Sequence, residues 1–310
     1  MKRHKDANPL MPSAGRFTCV HHYPYHTGLK MLIRCWGSRG SIPVSGRQYQ
    51  RYGGNTTCLE IRTNDDKILL VDAGSGIREA GNSLLAEGYR DFTLLLTHAH
   101  WDHIMGFPFF KPIYLSQVNL SIWGCPFAQT SIKKLLSRLM AAPNFPVNFD
   151  HIRAGISYHE TCFTPRRQLG SMVITPIALS HPNRGTGYKF EEDGKSFVFL
   201  TDNELGYKHE GGLNFKQYLD FVRNTDLLFH DAEYKEDEYK TTRGWGHSCY
   251  KDVLKLSLQA GVKKLGLFHH NQERFDVGVD AILDDCLQMI KKSGKKMKCV
   301  AVGQSMQFNL

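Results

Sequence analysis

From Met31 onward the chain reads as short β-rich runs separated by stretches of helical periodicity. The runs are MLIRCW, TCLEIR, KILLVD, FTLLLT, VNLSIW, SMVITPI, KSFVFLT, DLLFHD and VKKLGLFHH. They have the length and composition of strands. In 247–260, Tyr250, Val253, Leu254 and Leu258 recur at helical spacing, and Gly261 marks the stop. In 276–292, Val279, Ile282, Leu283, Cys286, Met289 and Ile290 do the same. Strands that alternate with helices yet often adjoin one another predict an α/β fold, with sheets covered by outer helices. No fixed-period repeat or low-complexity linker divides residues 31–310, which read as one domain. Residues 1–30 show no periodicity and carry Pro, Gly and His, so they read as an N-terminal extension, loosely ordered, outside that domain.

Composition changes this picture little. With 41% hydrophobic and 22% charged residues in 310, the chain is an ordinary soluble protein. No stretch approaches the ~18 consecutive apolar residues of a membrane span, and the first thirty lack a secretory core. A cytoplasmic setting is expected. The eight cysteines include no C-x-x-C pair and read as reduced thiols. A formal net charge of +9 favours anionic partners, but the basic residues are spread out. The dense run KKSGKKMK reads as a solvated turn before a last strand.

The chemistry concentrates in HAHWDH, directly behind the strand carrying Phe92, Leu94, Leu95 and Leu96. Neutral imidazole and carboxylate are ligands for zinc and similar ions. His98, His100, Asp102 and His103 crowd into six residues, too short a backbone to wrap one ion, so two adjacent ions fit better. His181, Asp202 and the pair His269–His270 each follow another apolar run. Strand-end loops are where a rigid scaffold presents such groups.

This order of motifs resembles the metallo-β-lactamase superfamily, and ILLVDAGSG, containing Asp72, resembles its first motif. The resemblance spans about residues 31–310 and implies a four-layer αββα sandwich with two divalent metals, zinc first, manganese or iron otherwise. By it, His98, His100 and His181 hold one ion; Asp102, His103 and His269 hold the other; Asp202 bridges; and Asp72 supports them. Alignment of LFHHN with the family pattern favours His269 over His270.

Two divalent ions set against Asp102, Asp202 and a bridging hydroxide leave roughly +1 for a substrate, which suits a phosphodiester without excluding a thioester or lactone. GWGHSCYKDVLKLSLQAGVKKLGLFHHN resembles a segment of the phosphodiesterase branch, which includes tRNase Z and cyclic phosphodiesterases. There a histidine, here His247, assists departure of the leaving group, while Asp102 orients the attacking hydroxide. A helix cap supplied by Ser248 is the plain alternative for that segment. DLLFHDAEY resembles the branch's acidic segment and implies His230 or Asp231 as partners of metal ligands.

tRNase Z typically carries a long tRNA-gripping arm between the motifs that here are His181 and Asp202, and only twenty residues separate them. The expected substrate is therefore a small phosphodiester such as a cyclic nucleotide, with nucleic acid less favoured and no membrane partner. Dimers are common in the branch. RNA 3′-end processing or general nuclease activity is the second reading. A non-catalytic diiron sensor is the third, and it usually has a glutamate where this chain has His100. NFPVNF (residues 144–149) offers aromatics for base stacking, with plain hydrophobic contact the simpler reading. Arg39 and Arg184 offer phosphate contacts, against a default of surface arginine.

Overall fold

The computed structural model describes residues 30–126, 131–160 and 166–310. The N-terminal extension up to residue 29, Cys19 and Cys162 lie outside them. One sheet contains β1 (Leu32–Gly37), β2 (Cys58–Arg62), β3 (Ile68–Val71), β4 (Asp91–Leu95), β5 (Asn119–Gly124) and β6 (Gly155–Glu160). The other contains β7 (Arg167–Leu169), β8 (Met172–Ala178), β9 (Thr186–Glu192), β10 (Lys195–Leu200), β11 (Leu227–Asp231), β12 (Lys264–Phe268) and β13 (Lys298–Ala301); β14 (Gln307–Asn309) returns to the first sheet beside β1. The strand orders are β14-β1-β2-β3-β4-β5-β6 and β13-β12-β11-β10-β9-β8-β7. Each sheet is half antiparallel and half parallel: β3 to β6 run parallel in one, β10 to β13 in the other.

Alternation of side chains along a strand explains the layering. Ile33, Leu59, Ile61, Leu69, Val71 and Leu95 point inward to meet Phe190, Phe197, Phe199, Phe229 and Phe268 of the opposing sheet. The intervening residues of the first sheet, among them Leu70, Phe92, Leu94 and Ile122, pack on α1 (Ile77–Ala86) and on α3 (Ile132–Leu139), which follows the single-turn α2 (Trp101–Ile104). The second sheet's outer residues, including Val198, Leu228 and Leu265, pack on α4 (Phe215–Phe221), α6 (Tyr250–Ala260) and α7 (Asp276–Ser293); α5 (Glu236–Thr242) lies between β11 and α6 in sequence. The result is the expected αββα sandwich. Burial on both faces is why KILLVD and DLLFHD read as continuous apolar runs rather than alternating ones. Gly261 closes α6 at φ 71° and Gly294 closes α7 at φ 69°, so KKSGKKMK leads from the end of α7 into β13, which β14 follows, and not into the last strand.

Two expectations give way, on Arg39 and on the cysteines, and two readings that stood second, base stacking by NFPVNF and a Ser248 cap, are not met. Arg39 is fully buried, and its guanidinium donates to the carbonyls of Gly53, Asn271 and Arg274. It therefore pins three loop segments and is neither a surface residue nor free for phosphate. The NFPVNF aromatics are partly buried against the first sheet's helical layer, Phe145 edge-on to Phe109 and Phe149 stacked on Phe107, which is the plain hydrophobic contact. Ser248 does not cap α6: Cys249 is the N-cap, and Ser248 Oγ donates instead to Asn203 O at 2.5 Å and accepts from Leu205 N–H at 3.0 Å. Cys35, Cys58, Cys249, Cys286 and Cys299 are free and buried, but Cys125 is disulfide-bonded, so the thiols are not all reduced. Among the described residues no helix is long and apolar enough to cross a membrane.

Candidate metal centre

The two sheets bring their parallel strands' C-terminal ends to one edge of the sandwich. Asp72 follows β3, Thr97 and His98 follow β4, Asp202 follows β10, Glu233 follows β11 and His269 follows β12. His181 follows β8, across the same edge. Asp72, Asp202 and His269 adopt left-handed backbone, with φ of 62°, 49° and 56°. Side chains rarely take this conformation, and runs of it at strand ends mark functional sites, where surrounding structure holds the strain.

Asp202 sits at the middle. Its Oδ2 faces His98 Nε2 at 3.6 Å and His181 Nε2 at 3.7 Å; its Oδ1 faces His103 Nε2 at 3.1 Å and His269 Nε2 at 3.4 Å. Asp102 Oδ2 lies 3.3 Å from His103 Nε2 and 3.2 Å from His269 Nε2, and also accepts from Ser41 N–H at 2.9 Å. His100 Nδ1 is 2.9 Å from His181 Nε2. Among the described residues three groups could hold a metal ion: His98, His100, His181 and Asp202; Asp102, His103, Asp202 and His269; and, beside the second, Asp231, Glu233, His247 and His269. The first two share Asp202 and are the pair expected from the sequence.

Hydrogen bonds at the far ring nitrogens fix which atom each histidine offers. His103 Nδ1–H donates to Asp72 Oδ2 at 2.7 Å. His98 Nδ1 lies 3.1 Å from Thr97 Oγ1, whose hydroxyl donates to the same Asp72 oxygen at 2.7 Å. His181 Nδ1–H donates to Gly246 O, and His269 Nδ1–H to Glu233 Oε2, both at 2.9 Å. All four therefore turn Nε2 inward, and such outer partners fix ring orientation and raise ligand basicity. His100 presents Nδ1, with Asn183 on its Nε2 at 3.3 Å.

The residues fit a pair of cations. Buried His98 Nε2 and His103 Nε2 have no hydrogen-bond partner of their own, which a bound ion would supply. Burial drives His98 well below the ordinary imidazole pKa and His181 down to about 3, so both stay neutral. Burial acts the same way on His103 and His269, but there the Asp202 carboxylate, with Asp102, outweighs it and holds both well above the ordinary value. That half of the pocket draws positive charge.

His247 lies outside the two groups that share Asp202 and belongs to the third. Its Nδ1–H donates to Asp231 Oδ2 at 2.6 Å, and its ring stacks on His269 at 4.6 Å and meets His181 edge-on at 5.3 Å. Burial works to lower its pKa, but the charges of Glu233 and Asp231 raise it to about 9. Asp231 thus partners His247 and not, as expected, a metal ligand; its other oxygen accepts from Glu233 N–H. His230 also departs from expectation. It points into the second sheet's far side, bonded to Asp231 O and Asn203 Nδ2. His270 turns away as well, donating through Nε2 to Val302 O at 2.8 Å, which separates it from His269. Arg184 is half-exposed and paired with Glu210.

Two residues escaped the sequence reading. Glu233, two past Asp231, holds His269. Buried Glu204, two past Asp202, accepts from Tyr239 O–H, Gly244 N–H, Gly246 N–H and His209 Nε2 at 2.6–2.8 Å, and so braces the loop that carries His247. The only available signal was position: each stands two residues beyond an aspartate at a strand end.

The Beta-lactamase superfamily domain matches residues 67–270, well over half of the chain. A ribonuclease Z of Staphylococcus epidermidis is 24% identical over 283 residues, covering 80% of this chain and 90% of that protein. Among solved structures, the metallo-beta-lactamase fold protein YhfI of Bacillus subtilis superposes with a TM-score of 0.66 at 17% identity, covering 91% of this chain and 100% of its own. Human tRNase Z, short form, does so with a TM-score of 0.61 at 16% identity, covering 90% and 99%. The chain belongs to the β-lactamase superfamily and is a hydrolase of its metal-dependent, metallo-β-lactamase-fold class.

Proposed function

We propose that the protein is a phosphodiesterase working with two divalent ions, zinc by preference. His98, His100 and His181 would hold one, Asp102, His103 and His269 the other, and Asp202 would be shared. The carrying observation is His247, fixed through Nδ1 by Asp231 and in ring contact with a histidine of each group. A phosphodiester expels an alkoxide, a poor leaving group, and a protonated imidazole beside the site supplies the proton it needs. With Asp231 holding Nδ1–H, His247 is left to donate from Nε2. Ions bound in the two groups would activate a water and neutralise charge on phosphoryl oxygens. Asp102, whose Oδ2 is steadied by Ser41 N–H, would orient that water.

A small diester such as a cyclic nucleotide is the favoured substrate. Between His181 and Asp202 the chain forms β9 and β10, paired up to Glu192 and Lys195 across a two-residue turn at Asp193–Gly194, with no room for a long arm. RNA with a 3′ extension is the second reading, favoured by the relative named ribonuclease Z, which aligns across 80% of this chain.

The test is a substrate panel on zinc-loaded protein: bis-p-nitrophenyl phosphate, 3′,5′- and 2′,3′-cyclic nucleotides, a 3′-extended RNA, a thioester and a lactone. Diester cleavage with cyclic nucleotides preferred is expected. Cleavage of the RNA alone selects the second reading, and turnover of thioester or lactone without any diester overturns both.

A further inference from the structure

Of the chain's four tryptophans, Trp36 is buried and Trp123 half-buried, but Trp101 is 76% exposed and Trp245 64% exposed. Tryptophan usually removes most of its large apolar surface from water, so two open indoles call for a reason. Both are sequence neighbours of residues at the candidate metal centre. Trp101 lies between His100 and Asp102. Trp245 directly precedes Gly246 and His247.

The two are joined through one ring. His100, next to Trp101, touches His181 Nε2 at 2.9 Å; Gly246, next to Trp245, accepts from His181 Nδ1 at 2.9 Å. The indoles therefore emerge from segments on opposite edges of the His181 imidazole. Trp245 is also held in a particular way. It sits between Gly244 at φ 89° and Gly246 at φ 101°, and a Cβ on Gly246 would fall 2.1 Å from His181 Nδ1. Glu204 accepts from the backbone N–H of both glycines. A braced loop with positive φ at both flanking glycines and no space for a side chain at Gly246, yet presenting a large exposed aromatic, is built to offer that ring to something.

We infer that Trp101 and Trp245 form a stacking rim that binds the base of a nucleoside-bearing phosphodiester while its phosphate sits over the two candidate metal groups. The inference rests on the phosphodiesterase reading and narrows it to base-bearing substrates. The occupant is taken to be the substrate itself because each indole's neighbour in sequence, His100 or Gly246, touches the same His181 ring of the candidate metal centre. Flat bases stack on exposed indole faces, and losing one such contact typically costs roughly tenfold in affinity.

The test compares two esters sharing the p-nitrophenolate leaving group, thymidine 5′-(p-nitrophenyl phosphate) and methyl p-nitrophenyl phosphate, on zinc-loaded protein. Wild type should prefer the thymidine ester in kcat/KM. Trp101→Ala and Trp245→Ala should each cut that preference roughly tenfold, through KM, and Trp101→Phe and Trp245→Phe should restore most of it. The methyl ester, run on the same samples, reports folding and metal loading. An unchanged preference in both alanine variants overturns the inference. So does an unchanged preference together with a shift from dimer to monomer in sedimentation, which would assign the indoles to a subunit contact. If wild type cleaves neither ester, the phosphodiesterase reading is what fails. The rim is then judged by quenching of tryptophan fluorescence with thymidine 5′-monophosphate: quenching lost in Trp101→Phe and Trp245→Phe supports it, and no quenching overturns it.

Discussion

Asp231 Oδ2 accepts the Nδ1 proton of His247 at 2.6 Å, on a carboxylate that is itself completely buried. The pairing turns a histidine outside the two groups that share Asp202 into a fixed, charged ring beside them. If His247 protonates a departing alkoxide, the loss on removing it depends on how badly the leaving group needs a proton. His247→Ala should slow alkyl diesters and cyclic nucleotides by about 10²- to 10⁴-fold and p-nitrophenyl diesters far less. Equal losses on both would remove the proton-donor role.

Glu233 and Asp72 touch the rings of His269 and His103 at the nitrogen facing away from the centre. Replacing such a partner leaves every proposed ligand in place but loosens its orientation and lowers its basicity. Glu233→Gln and Asp72→Asn should weaken binding of the second ion by about 10- to 100-fold, read by competition with a chromophoric chelator. The group containing His98, His100 and His181 should be weakened less by Glu233→Gln, because the residues bonded to Glu233 include none of those three. A uniform loss at both groups would show that the two do not bind independently.

Glu204 gathers four donors onto one buried carboxylate, two of them backbone N–H groups of the loop that carries Trp245 and His247. An amide in its place turns one acceptor oxygen into an NH₂ that faces a donor. Glu204→Gln should cost about 1–3 kcal/mol in denaturant unfolding, by leaving a buried donor unsatisfied. Because Gly246 O also orients His181, kcat on a diester should fall along with stability. A variant with lowered stability and unaltered kcat would confine Glu204 to the scaffold.

Much of the fold was legible because β3, β10, β11 and β12 are buried on both faces and so announce themselves as apolar runs. β9 was not, since TGYKFEE buries Tyr188 and Phe190 but sets half-buried Lys189 and Glu191 on the alternate positions, and its glycine reads as a turn. The candidate ligands were legible through dense spacing and strand-end position. What the sequence could not carry was direction. His230 and His247 look equally available in the chain, yet one is turned to Asn203 and the other toward His269. Arg39 looked like a surface cation because nothing local reveals that three carbonyls, two of them more than 230 residues away, converge on it.

His230 gives a prediction that does not depend on metal. It is completely buried, with Nδ1–H donating to Asp231 O and Nε2 accepting from Asn203 Nδ2, so its neutral form is satisfied and a second proton would face a donor. Burial lowers its pKa to about 4, against about 6.5 in an unfolded chain. The unfolded state therefore takes up a proton that the folded state refuses. The contribution is fully present above about pH 6.5 and is lost as pH falls from there toward 4. Between pH 7 and pH 5 it amounts to about 2 kcal/mol of lost stability. Other buried histidines add their own slopes, so the informative quantity is a difference. His230→Gln should be less stable than wild type at pH 7 but should lose about 2 kcal/mol less than wild type on going to pH 5, measured by urea unfolding. Parallel stability-versus-pH curves for the two proteins would show that His230 is not held neutral by the fold.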